Sequence, residues 1–231
     1  MADLNKLLII EDNEEVVEAI SIALQIRWPD IRILSTGSGE QGIDLIMNKK
    51  PDIIILDLGL IDINGFEVLK RVRMFSNIPV VILTVRGEEA DIIKGFELGA
   101  DDFITKPFKQ LELIARITAI ARRVNLIGGE DPIVCGNFYF DHSMRTVKYN
   151  GKQTTLTHTE NSILLKLIQN KNIVVTYDKI AEEIWGINYP DAADSIKVYV
   201  RRLREKIEPD PSRPRFLLNK SGLGYLFTTR N

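Results

Sequence analysis

The sequence has one cysteine, Cys135, in 231 residues. A lone thiol excludes an intramolecular disulfide and any zinc site built from cysteines, and it suits a reducing compartment. Aromatic residues make up only 7%. Long hydrophobic runs are missing: Ile53–Leu56 and Val80–Leu83 have the length of a strand and fall far short of a membrane span. The first residues reach the acidic pair Glu11 and Asp12 without a basic region followed by a long apolar one, so they do not read as a signal peptide. These absences exclude a secreted, membrane-spanning, collagenous or disulfide-stapled protein, and the expected location is cytoplasmic.

What is there fits a soluble globular chain: 45% apolar and 27% charged residues, enough for a core and too apolar for disorder. The length suggests two ordinary domains or one large one. The net charge of −2 hides an asymmetry. Residues 1–124 carry 15 Lys and Arg against 20 Asp and Glu, whereas residues 125–231 carry 15 against 12. Within residues 194–230 the count is 9 against 4. An acidic half before a basic one points to two domains with different partners.

The first half alternates short apolar runs with helical patterns: strands at Leu7–Ile10, Arg32–Leu34, Ile53–Leu56, Pro79–Thr84 and Phe103–Thr105, each followed by a helix. The helices are expected over Glu14–Ile26, Ser38–Met47, Gly65–Met74, Glu88–Leu98 and Gln110–Arg123. Unbroken apolar strands alternating with helices predict a doubly wound parallel sheet covered on both faces. Residues 124–132, with two glycines, two acids and a proline, predict a linker between a domain at 1–123 and another at 133–231. There the period changes. Ile133–Cys135, Asn137–Asp141, Thr146–Tyr149 and Lys152–Leu156 read as antiparallel strands, with a tight turn at Asn150–Gly151. The capping box Thr157 to Glu160 opens a helix, and further helices are expected over Tyr177–Trp185 and Asp194–Ile207. Phe216–Leu218 and Tyr225–Thr228 predict a closing hairpin.

In a doubly wound sheet, ligands bind beyond the carboxyl ends of the strands. There the sequence puts Glu11, Asp12, Asp57, Thr84 and Lys106. Carboxylates this close repel one another, and Mg²⁺ is the simplest remedy. Asp57 ends a wholly apolar run, which suits a fixed nucleophile forming an acyl phosphate. Lys106 and Thr84 would then help to neutralise the phosphoryl group.

These stretches resemble the receiver domain of bacterial response regulators: Leu8 to Asp12, Asp52 to Asp57, Asn64 to Val68, Pro79 to Thr84 and Gly99 to Phe108. The resemblance implies a flavodoxin-like sheet of order 2-1-3-4-5 and phosphorylation of Asp57 by a sensor histidine kinase. It implies Mg²⁺ on Glu11, Asp12, Asp57 and the carbonyl of Gly59, a switch pair of Thr84 and Phe103, and a cis peptide at Lys106–Pro107. Val85 replaces the small residue usual after the threonine, and Phe103 replaces a tyrosine. A face using Asp101, Asp102, Glu112, Arg116 and Arg123 would form a homodimer, although Ile92 stands where a basic partner is usual.

The basic half offers groove readout from the helix Asp194–Ile207 and the hairpin after it. Ile196, Tyr199, Val200, Leu203 and Ile207 form an apolar stripe, leaving Lys197, Val198, Arg201, Arg202 and Glu205 largely off it. Leu156-Thr157, Glu160, Trp185-Gly186, Val198 to Leu203 and Gly222 to Tyr225 resemble the winged-helix effector of the OmpR/PhoB subfamily. That resemblance implies double-stranded DNA contacts from Ser195, Val198, Arg201, Arg202 and Arg204, with Lys220 and Tyr225 in the wing, and an RNA polymerase-facing loop at Gly186–Ala192. Asp194 and Ser221 stand where arginines are common.

The expected function is therefore a transcriptional response regulator controlled by phosphorylation, not an enzyme. A phosphatase using Asp57 would need a second acid where Gly59 stands. A dinucleotide-sensing regulator is the alternative: Gly37, Gly39 and Gly42 match G-x-G-x-x-G after a strand and before a helix, with Asp57 twenty residues beyond Gly37.

Overall fold

The structure, a computed structural model, describes residues 4–85, 89–125, 132–135, 138–186, 189 and 192–229. The chain divides into two compact units, Met1–Asn125 and Leu126–Asn231.

The first unit runs β1 (Lys6–Ile10), α1 (Glu14–Arg27), β2 (Arg32–Thr36), α2 (Gly39–Lys49), β3 (Ile53–Asp57), α3 (Gly65–Arg73), β4 (Val80–Thr84), α4 (Glu89–Leu98), β5 (Asp102–Thr105) and α5 (Gln110–Asn125). Its five strands are parallel in the order β2-β1-β3-β4-β5. The central strands β3 and β4 are buried along their whole length, as continuous apolar runs between two helical layers require. Leu7, Ile9, Ile53, Ile55, Val81 and Leu83 meet Ile20 and Leu24 of α1 and Ile117 and Ile120 of α5 in one core. The helices start on polar caps: Asn13 accepts from the Glu15 and Val16 amides, Ser38 from Gln41 and Asn64 from Phe66. Ser38 is thus the cap of α2 rather than its first residue, because its hydroxyl satisfies an otherwise orphaned amide.

The second unit runs β6 (Ile133–Cys135), β7 (Phe138–Asp141), β8 (Thr146–Tyr149), β9 (Lys152–Thr155), α6 (His158–Gln169), β10 (Val175–Thr176), α7 (Tyr177–Trp185), α8 (Ala192–Ile207), β11 (Leu217–Lys220) and β12 (Gly224–Phe227). Strands β6 to β9 form an antiparallel meander, and β10-β12-β11 form a second sheet. Asn150 and Gly151 both have positive φ, as a two-residue hairpin turn demands. Residues 126–131 of the expected linker lie outside the described residues, and α5 extends through Val124 and Asn125.

In the final hairpin the first strand starts one residue later, and the second one residue earlier, than the sequence predicted. Phe216 is buried against Phe138 (ring centroids 5.3 Å apart) and its carbonyl accepts from the Thr228 amide, so it anchors the hairpin from outside β11. Strand β10 escaped the sequence pattern because two residues cannot show an alternation. It adds to β12 through the pairs Val175–Tyr225 and Thr176–Gly224.

That pairing depends on Gly224. Its φ is +155°, and a Cβ there would strike the Val175 carbonyl and the Thr176 Cα. Gly224→Ala is expected to lower the stability of the second unit by about 2–4 kcal/mol while leaving the first unchanged, measured as two calorimetric transitions. Tyr225, beside it, is buried, and burial pushes its hydroxyl up to about 12. An unfolded tyrosine ionises near 10, so this contribution to stability is complete below about pH 10 and lost as pH rises towards about 12. Tyr225→Phe should remove that alkaline loss, seen in unfolding midpoints across the same range.

Candidate functional site

The parallel register brings the strand ends of the first unit to one edge. Asp57 is the last residue of β3 and Thr84 the last of β4, while Glu11 and Asp12 follow β1 and Lys106 follows β5. The Lys106 ammonium donates to Glu11 Oε2 at 2.5 Å and to Asp57 Oδ1 at 2.8 Å. Glu11 and Asp57 are buried, Asp12 is exposed, and one carboxylate oxygen from each of the three lies within 4.8 Å of the others. The Gly59 amide donates to the second Asp57 oxygen at 2.9 Å. The Lys106–Pro107 peptide is cis.

The electrostatics follow from burial. Desolvation raises the Glu11 carboxyl above its ordinary value, more than the hydrogen bond from Lys106 lowers it. Burial alone would depress the Lys106 ammonium, but its hydrogen bonds to Asp57 and Glu11 prevail and hold it above the usual lysine range. Lys106 is therefore a fixed cation. The set of hard oxygen donors around it suits a divalent ion such as Mg²⁺. Thr84 is buried at the mouth, and Val85 beside it is 74% exposed. Phe103 is buried in this structure.

Backbone packing holds Asp57 from behind. Gly65, the first residue of α3, lies against the Asp57 carbonyl, and a Cβ there would overlap it. Its amide donates to the Leu58 carbonyl at 3.1 Å.

The glycine motif of the dinucleotide reading is accounted for differently. The α2 N-terminus already holds a carboxylate. Gly39 and Glu40 amides donate to Asp62 at 2.9 and 3.1 Å, and the Ser38 hydroxyl donates to it at 2.7 Å. These bonds, the Gly39 amide foremost, hold Asp62 well below the usual carboxylate range. The amides that would cradle a pyrophosphate are thus taken. Gly39 and Gly42 also lie in contact with Ile63, Val68 and Ile10, where a Cβ would clash.

The acidic face expected to dimerise is engaged within the chain. Asp101 pairs with Arg73 at 3.0 Å, and Arg116 pairs with Asp102 at 3.1 Å and with Glu112 at 2.8 Å. Asp101, Asp102 and Arg123 are buried, leaving Glu112 as the most exposed of the expected set. Arg73, which the sequence pattern did not single out, also donates to the Gly99 and Ile78 carbonyls.

In the second unit the structure corrects the expected outward face of α8. Arg201 projects, with 69% of its side chain exposed, and bonds Glu205 at 3.2 Å. Lys197 is exposed as well, paired with Asp194 at 2.7 Å. Arg202 is only 15% exposed, its guanidinium 3.0 Å from the fully buried Glu160, a charge contact rather than an aligned hydrogen bond. Lys206 bonds the other Glu160 oxygen at 2.6 Å, and the Thr157 amide donates to that oxygen at 2.9 Å. Arg204 turns to the Leu217 carbonyl, at 2.8 and 3.1 Å, and lies over the Tyr225 ring. Ser195 and Val198 are buried, because α8 packs on α6 and α7 through more of its circumference than the apolar stripe indicates, and Tyr225 of β12 is buried edge-on to Tyr177. Lys220 is exposed in β11. Of the loop Gly186–Ala192, residues 187, 188, 190 and 191 lie outside the described residues.

Comparison with known proteins assigns both units. Residues 7–118 match the response regulator receiver domain, and residues 151–227 match the C-terminal domain of transcriptional regulatory proteins. The chain is 35% identical over 222 residues to the transcriptional regulatory protein KdpE of Mycobacterium tuberculosis, covering 95% of this chain and 97% of that one. It is 34% identical to the DNA-binding response regulator MtrA of Mycolicibacterium smegmatis, covering 95% of each. Among solved structures, the response regulator DrrB of Thermotoga maritima, an OmpR/PhoB homologue, matches 98% of this chain and 100% of its own at 30% identity, with a TM-score of 0.52. A RitR mutant shares the fold over 96% of this chain and 98% of its own at 23% identity, with a TM-score of 0.73. The buried acid–lysine edge and the helix-plus-hairpin unit are thus two halves of one architecture, and the chain belongs to the OmpR/PhoB-type DNA-binding response regulators of two-component systems.

Proposed function

We propose that Asp57 accepts a phosphoryl group from a sensor histidine kinase and that this modification controls DNA binding by the second unit. The supporting observation is the Lys106 ammonium shared between Glu11 and Asp57 at the end of a fully buried strand. Glu11, Asp12, Asp57 and the carbonyl of Gly59 would hold Mg²⁺, which when bound offsets the negative charge gathered around a phosphoryl group. Asp57 supplies the attacking oxygen. Lys106, held cationic, stays beside the new acyl phosphate, and the Thr84 hydroxyl closes on it from β4. Thr84 and Phe103 act together as the switch pair.

The response is read on α4, β5 and α5, where a homodimer forms on phosphorylation. Asp101, Asp102, Glu112, Arg116 and Arg123 are the ionic groups of that region. Their present partners lie within the chain, so dimerisation exchanges internal ion pairs for pairs across the interface. The Arg73–Asp101 and Arg116–Asp102 pairs are buried and costly to break, so the exchange falls chiefly on the half-exposed Glu112.

The second unit binds double-stranded DNA with α8 in the groove. Arg201 is the best-presented arginine of that helix, and Lys220 contacts the backbone from the wing. Arg202 and Arg204 act mainly by fixing α8 to α6 and to β11, and the buried Ser195, Val198 and Tyr225 support the same face from within. The loop Gly186–Ala192 would meet RNA polymerase. A cytoplasmic regulator fits these partners, and no helix among the described residues is long and apolar enough to cross a membrane.

Asp57→Asn should abolish formation of acid-labile phosphate from a small phosphodonor with Mg²⁺, because it removes the nucleophilic oxygen while nearly preserving shape. Phosphate persisting on the variant would sink the assignment. Lys106→Ala should still accept phosphate slowly but lose the phosphate-dependent shift to a dimer in sedimentation, and normal dimerisation would remove Lys106 from the coupling.

The two arginines of α8 should separate cleanly. Arg201→Ala should weaken DNA binding with little change in stability. The loss is about 1–3 kcal/mol and site-specific if Arg201 reads a base, or uniform with a salt slope lower by about one if it meets a phosphate. Arg202→Ala should destabilise the second unit by about 3 kcal/mol, since it strands part of a buried carboxylate. Affinities for specific and scrambled sites at several salt concentrations, beside calorimetry, distinguish the two roles.

A further inference from the structure

Asp57 also lines a cleft of about 410 Å³ with Asn64, Phe66, Thr84, Asp91 and Lys94. Glu11, Asp12 and Lys106 are not among its lining residues, so the cleft is a separate approach to the same carboxylate. Its volume lies within the roughly 300–1,000 Å³ typical of small-molecule sites, far more than a phosphoryl group fills. The remainder can take the rest of a phosphodonor. The donor's leaving group must depart on the side of phosphorus opposite the attacking oxygen, towards open space.

Charge decides what that space favours. Among the described residues lining the cleft, Lys94 is the one cation, and Asp91 one turn earlier on α4 is the countercharge. The Lys94 ammonium is held 4.2 Å over the centroid of the Phe66 ring, which fixes it at the rim instead of leaving it to wander in solvent.

We propose that Lys94 is a specificity-determining residue for the phosphodonor, receiving the anionic leaving group of an acyl phosphate that reacts at Asp57. The inference rests on Asp57 being the phosphoacceptor. In the step, an Asp57 oxygen forms a bond to phosphorus as the bridging P–O bond breaks. The electron pair leaves on the carboxylate oxygen of the departing acid, and no proton moves. Negative charge grows on that oxygen during the step, so a cation at the rim stabilises the transition state more than the ground state. With phosphoramidate the P–N bond breaks and ammonia departs uncharged, so Lys94 contributes nothing comparable.

The test compares acetyl phosphate with phosphoramidate as donors to the full chain in Mg²⁺, the phosphorylated fraction being followed by intact mass. Lys94→Gln should slow acetyl phosphate about two- to fivefold, the scale of an exposed charge interaction, and leave phosphoramidate unchanged. Lys94→Arg should restore the native ratio, and the effect should shrink from low to high salt. Equal slowing with both donors, or no change with either, overturns the proposal. Asp57→Asn run in parallel separates the two failures: if it still takes phosphate, the acceptor assignment falls, whereas an unchanged donor ratio with Asp57 intact defeats only the role of Lys94.

Discussion

Lys106 holds two buried carboxylates at once, and the edge of the first sheet is arranged around that contact. Removing charges from water is expensive unless each finds a partner, and Glu11 and Asp57 would repel one another without a cation between them. The sheet order supplies the solution. β1 and β3 are neighbours, so their ends deliver Glu11 and Asp57 side by side, and β5 brings Lys106 to them. Burial keeps the Glu11 carboxyl above its ordinary value even with Lys106 bonded to it, so a further positive charge would be favourable there. That residual need links the fold to the proposed phosphoryl chemistry. The same geometry that makes the pocket costly suits a cation, and the proposed phosphorylation of Asp57 would draw on it.

A comparable economy governs the second unit. Glu160 completes the cap of α6 and also takes Arg202 and Lys206 from α8, so one buried carboxylate sets both where α6 starts and how α8 lies across it. Arg204 fastens the other side of α8 to the Leu217 carbonyl in the wing. Helix and wing therefore present themselves to DNA as one piece, and Arg201 projects from a helix whose orientation is fixed by charges behind it.

The acid–lysine edge was legible because strand ends in a parallel sheet are read directly from apolar runs: Asp57, Thr84 and Lys106 each follow one. Continuous strands such as Ile53–Leu56 leave little doubt about register or burial. The outward face of α8 was less legible. A helical stripe identifies the apolar positions, but it cannot tell an arginine facing solvent from one turned to a buried acid forty-two residues earlier, and Arg202 and Arg201 are neighbours in sequence. Arg73 escaped for the same reason, since its partner Asp101 is distant in the chain. The Gly37–Gly42 motif misled in the opposite direction. Its glycines answer to packing against Ile10, Ile63 and Val68, and the amides it leaves open are closed by Asp62, whose role no local spacing announces.

The close seating of Gly65 on the Asp57 carbonyl bears on how such a site can diversify. The segment between them is anchored at both ends by main-chain bonds, Leu58 amide to the Leu83 carbonyl and Gly65 amide to the Leu58 carbonyl. An inserted or deleted residue would shift the acceptor strand itself. An exchange of the exposed Ile61 side chain leaves the main-chain frame standing. Loop length here is therefore tied to the position of Asp57 against α3, and change at this pocket without moving that strand is confined to side chains.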